Sequence, residues 1–127
     1  MIEAETRTCI FKLDPRGFVH AVMRTGCEMD VEDAVANVGV LHQLGPNKRS
    51  RVLVDMRGVR SQTRGARQYF AGPEAAKVSA AVALLIGSPI SSVLGNFFMR
   101  VGGPLRTPTA LFTDASKAIS WLLELPE

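Results

Sequence analysis

Nucleophilic and acid–base catalysis need serine, cysteine, histidine or carboxylate groups held side by side, and this chain of 127 residues supplies few of them. Its histidines are His20 and His42. The first falls mid-strand and the second near the end of a helix, so neither stands beside a hydroxyl or thiol as a triad requires. Cys9 and Cys27 are too few for a disulfide scaffold or a cysteine zinc site and read as reduced structural thiols. No His, Cys or carboxylate pair has metal-ligand spacing; Glu28, Asp30, Glu32 and Asp33 read as an acidic helix start instead. Gly87 and Gly95 are isolated, and Gly102-Gly103 runs into Pro104 rather than a phosphate-binding helix. The expectation is therefore no catalytic residue, no metal and no cofactor.

Charge carries more information. The net charge is +3, yet Lys48 to Arg67 holds seven basic residues against the single acid Asp55, a local balance of +6 that leaves −3 for the rest. A basic cluster of that size suits an anionic small molecule or protein better than nucleic acid, which calls for a larger basic face. With 46% apolar and 21% charged residues the composition is that of one soluble domain spanning 1–127. No run is long and apolar enough to span a bilayer, and the N-terminus lacks the pattern of a signal peptide, so a cytoplasmic protein is expected.

The elements that must position these residues follow from periodicity. Thr8–Leu13 and Phe18–Arg24 alternate apolar and polar around Asp14-Pro15-Arg16-Gly17, a hairpin with a short turn. Asp30 caps a helix whose apolar face runs through Val31, Ala34, Val35, Val38 and Leu41 to a stop at Gly45-Pro46. Arg51–Met56 is a strand ending near an aspartate. Thr63–Ala71 is helical, broken at Gly72-Pro73, with a further turn to Val78. The unbroken apolar run Ala80–Ile86 reads as the central strand, covered on both faces. Ser88-Pro89 opens a helix to Val101; Thr109–Thr113 is the last strand; Asp114–Leu125 is a final helix burying Ala115, Ala118, Ile119, Leu122 and Leu125. The order β-β-α-β-α-β-α-β-α predicts an α/β fold with a mixed sheet, an N-terminal antiparallel hairpin followed by parallel strands with flanking helices.

That order, with the strings Arg51-Val-Leu-Val-Asp55, Ser88-Pro89 leading to Gly95-Asn96-Phe97-Phe98, Pro108–Phe112 and Ala118-Ile-Ser-Trp121-Leu122, resembles the STAS fold group of anti-sigma-factor antagonists. The group also contains the CRAL-TRIO lipid-transfer domains, and more narrowly the chain resembles small bacterial STAS-like proteins of unassigned function. In the phosphoswitch branch a serine follows the strand that ends in aspartate. Ser61 and Thr63 stand nearest that place and are the phosphosites the resemblance implies. The Asp-Ser-Ser-Gly string itself is absent, and Arg64 precedes Gly65.

In an open parallel sheet, ligands gather at the C-terminal strand ends, where helix N-termini present free N–H groups. Asp55, Arg57, Arg60, Thr63, Arg64 and Ser88 map there and form a candidate anion site; the competing reading makes Thr63, Ser88 and Thr113 helix caps and the arginines a solvated rim. Phe98, Met99 and Trp121 are candidates for a contact surface, against ordinary core packing. The leading expectation is a non-enzymatic regulatory or interaction module that binds a protein partner or itself as a homodimer. The alternative is a binder of a small ligand, either an anion at the strand ends or a lipid-like apolar molecule under the interrupted Thr63–Val78 segment. An unrecognised enzyme is the third reading, opposed by the placement of the histidines.

Overall fold

Proline at the second turn position and glycine at the fourth make the first hairpin close tightly. Gly17 adopts φ +100°, its N–H donates to the Asp14 carbonyl at 2.9 Å, and Asp14 N–H donates to Phe18 O at 2.9 Å. In the computed structural model, which describes residues 3–45, 48–87 and 107–125, this turn joins β2 (Cys9–Leu13) to β3 (Phe18–Met23), with Cys9 opposite Met23. A further strand, β1 (Glu3–Glu5), lies antiparallel to β2; its three residues are too short and too polar to announce themselves in a hydropathy pattern.

From β3 the chain passes through β4 (Glu28–Met29) and α1 (Val31–Leu44) to β5 (Ser50–Asp55). It continues through β6 (Ser61–Gln62), α2 (Arg64–Phe70) and α3 (Pro73–Val78) to β7 (Ser79–Leu85). Strand β8 (Thr109–Phe112) and helix α4 (Ala115–Glu124) complete the described elements. The six-stranded sheet has the order β1-β2-β3-β5-β7-β8, antiparallel through β3 and parallel from β3 onward. The α/β class, the hairpin and the parallel succession agree with the sequence reading. The middle of the sheet is held by β3 and β5, however, and β7 lies one strand in from the edge; its continuous apolar run reflects cover on both faces rather than central rank.

Alternation along the strands divides the interior in two. Val19, Ala21, Met23 and Val52 meet Ala34, Val38, Leu41, Ala66 and Ala75 from α1, α2 and α3 on one face. Their chain neighbours Phe18 and Leu53, with Ala81, Ala83 and Leu85, meet Ala118 and Leu122 of α4 on the other. Helix α4 is pinned there by Arg51, whose guanidinium donates to the carbonyls of Leu122 and Leu125, both at 2.7 Å. Those are among the last carbonyls of a helix, which have no partner within it. Ala115, expected on the buried face of α4, is exposed in the first turn, where Asp114 rather than Thr113 supplies the cap by accepting from Ser116 and Lys117 N–H.

The apolar stripe of α1 also differs from expectation. Ala34, Val38 and Leu41 are buried, but Val31 and Val35 remain 43% and 47% exposed while Asp33 and Asn37 turn inward. Polar partners account for the rotation. Arg7 forks onto Asp33 and also donates to the Glu28 carbonyl at 2.9 Å, Asp33 and Asp30 close a capping box, and Asn37 accepts from the Thr6 hydroxyl and donates to that of Thr8 at 3.0 Å. Satisfying these groups outweighs covering two valines.

Candidate functional site

The loop that leaves β5 is built around Asp55. Its carboxylate, nearly buried, accepts the backbone N–H of Arg57 at 3.1 Å and the guanidinium of the same residue at 3.0 and 2.8 Å. These bonds hold the Asp55 carboxyl below its ordinary value, and Arg57 is committed to it. Beyond the turn, the short parallel pair β4–β6 ties this loop to the one after β3: Gly26 N–H donates to Gly58 O at 2.7 Å, Arg60 N–H to Cys27 O at 2.9 Å, and Thr63 N–H to Met29 O at 2.9 Å. Arg60 lies 3.6 Å from Glu28 as an exposed ion pair. Thr63 caps α2, its hydroxyl accepting from Ala66 N–H at 3.2 Å. Ser61 and Arg64 are exposed.

The basic stretch is therefore not one patch. Arg49 donates to Ala76 O and Arg51 to the end of α4, while Arg57, Arg60 and Arg64 follow the far end of β5, a strand of about 20 Å. Of the six residues mapped to an anion edge, Asp55 and Arg57 engage each other, Arg60 faces Glu28, Thr63 is a cap, Arg64 is free to solvent, and Ser88 lies outside the described residues. Phe98 and Met99 lie outside them as well. Trp121 is half-buried, its ring 5.8 Å from that of Phe112 at the edge of the core under α4.

His20 sits on β3 opposite Lys12 and Leu53, on the sheet face that carries Phe18. Burial pushes its imidazole below the ordinary value of 6.5, opposed by the pull of Asp55 and Asp14 and reinforced by Lys12 and Arg57. Cys9 is fully buried, and burial pushes its thiol up to about 12; Cys27, half-buried, is raised for the same reason. Both are poor nucleophiles near neutrality. Among the described residues no cluster of three His, Cys, Asp or Glu side chains is placed to hold a metal ion, and no described helix is long and apolar enough to cross a membrane.

A different feature stands on the opposite side of the sheet. Between the strands and the helices lies a cavity of about 110 Å³. It is lined by Phe11, Ala21 and Met23 of the hairpin and Leu41 of α1, all buried, and by Gln62, Phe70 and Gly72, all half-buried. The space exists because α2 and α3 are separate helices. Gly72 ends the first, its N–H donating to Tyr69 O at 3.1 Å, and Pro73 starts the second, so the small side chains Ala75 and Ala76 face a sheet that a continuous helix would approach differently. The lining residues read individually as core, and only the breaks at Gly72-Pro73 and the run of alanines hint at unfilled volume.

A family model covers residues 11–125, nearly the whole of this architecture. The chain belongs to the DUF7793 family. Its description is a domain of unknown function. Among solved structures, this DUF7793 chain is similar to an uncharacterised protein of the DUF3478 family with a SpoIIAA-like fold from Shewanella loihica PV-4, at 15% identity, a TM-score of 0.57, and coverage of 94% of this chain and 90% of that one. A protein of unknown function from Arthrobacter sp. FB24 matches at 31% identity over 91% of this chain and 99% of its own, with a TM-score of 0.35. No curated protein matches significantly. The Shewanella likeness establishes a SpoIIAA-like fold for the DUF7793 chain, the STAS-type architecture its element order resembles; at that identity it carries no activity across.

Proposed function

We propose that the chain is a non-enzymatic binding module whose working site is the cavity under α2 and α3, taking a small apolar ligand. The supporting observation is the cavity itself: volume lined mostly by apolar side chains, against the interrupted helix. The anion alternative has less behind it, since Arg57 is engaged by Asp55 and Arg60 by Glu28. Ligand binding to the native state raises apparent stability by mass action. Thermal melting against a panel of neutral apolar compounds and inorganic phosphate should show stabilisation by the former only. Stabilisation by phosphate that disappears in Arg57→Ala or Arg64→Ala would overturn this reading in favour of the anion site.

A second reading, a surface for a protein partner or a second copy of the chain, draws on Val31 and Val35, which stand exposed on one side of α1. Light scattering across concentrations checks the self-association part. A dimer that dissociates in Val31→Lys/Val35→Lys supports it, and a monomer at every concentration removes it.

A further inference from the structure

Resting on the reading of the cavity as the working site, we infer that it accepts a neutral, compact apolar molecule whose buried part is no larger than a single six-membered ring, with one uncharged hydrogen-bonding group turned towards Gln62. Size sets the first limit. Engineered apolar cavities of about 150 Å³ take benzene, and this one measures about 110 Å³. Protein interiors are close-packed and resist swelling, so a long acyl chain exceeds this volume.

Charge sets the second limit. The described lining residues carry no ionisable side chain. A carboxylate or ammonium group drawn inside would lose its hydration without a counter-charge, a cost far above that of burying a neutral group. Polar capacity sets the third. Asn37 is committed to Thr6 and Thr8, while the hydroxyls of Thr107 and Thr109 donate to the carbonyls of Ser79 and Thr107 at 3.4 and 2.9 Å. Gln62 uses its backbone carbonyl to accept from Arg67 at 2.7 Å, and among the described residues its side-chain amide has no partner. Beside the Ser79 hydroxyl, which also lines the cavity, the Gln62 amide is what a neutral donor or acceptor on the ligand can meet.

The test uses the full chain with four probes, toluene, phenol, hexanoate and palmitate, followed by ligand-observed NMR and calorimetry. Toluene and phenol should bind saturably at one site. Ala75→Leu should weaken both by at least about tenfold, and Ala76→Leu, at a half-exposed position, supplies the same comparison should the first variant not fold. Gln62→Leu should weaken phenol severalfold and leave toluene unchanged, while neither hexanoate nor palmitate displaces toluene. Displacement of toluene by palmitate at one equivalent would overturn the size and charge limits while leaving the cavity as the working site. Phenol binding indifferent to Gln62→Leu would overturn the role given to that amide. Probe binding untouched by both alanine replacements, or no binding of any probe to the folded protein, would overturn this inference together with the reading it rests on.

Discussion

Two side chains show how single residues act on stability here. His20 resists protonation in the folded protein, whereas the unfolded chain takes up the proton near pH 6.5. The unfolded state then binds more protons between the folded and unfolded values, so stability rises with pH there and falls as pH drops through the unfolded value of 6.5. Urea titrations at successive pH values should show that decline, and His20→Gln should flatten it. A separate decline below about pH 4 should survive the substitution. It belongs to Asp33, Asp55, Asp14 and Asp114, whose partners hold them below the usual carboxylate value, so that their contribution is present above the unfolded pKa and lost as pH falls through the folded one. Arg51 acts by geometry instead. Its two hydrogen bonds to the end of α4 are charge-assisted, and Arg51→Met should cost about 2 kcal/mol in urea denaturation. Composition marks Arg51 as one member of a basic run; nothing in the neighbouring residues reveals that its partners are more than 70 positions away.

At the scale of elements, local signals carried well wherever the chain itself makes the turn. The Asp14–Gly17 hairpin, the Asp30 cap, the break at Gly72-Pro73 and the start of α4 after Asp114 are all written in neighbouring residues. Strands β1, β4 and β6 were not legible, because two or three residues offer no period and their pairing partners are distant in sequence. The inward face of α1 was misread for a related reason: only the arrival of Arg7 and Thr8 from the bend between β1 and β2 makes burial of Asp33 and Asn37 favourable. The loops that the β4–β6 pair ties together also meet in a contact with no slack. A Cβ built on Gly58 would stand 2.9 Å from Thr25 Cα and 3.2 Å from Thr25 N. Backbone cannot move aside as a flexible side chain can, so Gly58→Ala should destabilise by about 1–3 kcal/mol, read as a lower thermal midpoint, and should speed hydrogen exchange at the Gly26 amide that bonds to the Gly58 carbonyl.

Across the whole molecule, the sheet separates two interiors. Leu122 and Ala118 pack the face under α4, and the cavity lies on the face under α1, α2 and α3. Leu122→Ala should therefore cost about 2–5 kcal/mol yet leave toluene binding intact in the fraction that stays folded, a separation that calorimetry at low temperature would reveal. The fold was easier to anticipate than the site. Element order depends on patterns that recur along the chain, while a cavity is the volume left when particular side chains from five or more elements meet, and no local pattern encodes what is missing.

The placement of Trp121 has an experimental corollary. It is the single tryptophan of the chain, packed on Phe112 where α4 meets the last parallel strand. Its emission thus reports on the parallel edge of the sheet, and is blind to the antiparallel strands at the opposite edge. If the β1-β2-β3 ribbon and the β7-β8-α4 edge melt as one unit, intrinsic fluorescence and far-ultraviolet circular dichroism will trace superimposable transitions; separated curves would mark the parallel edge as an independently opening unit.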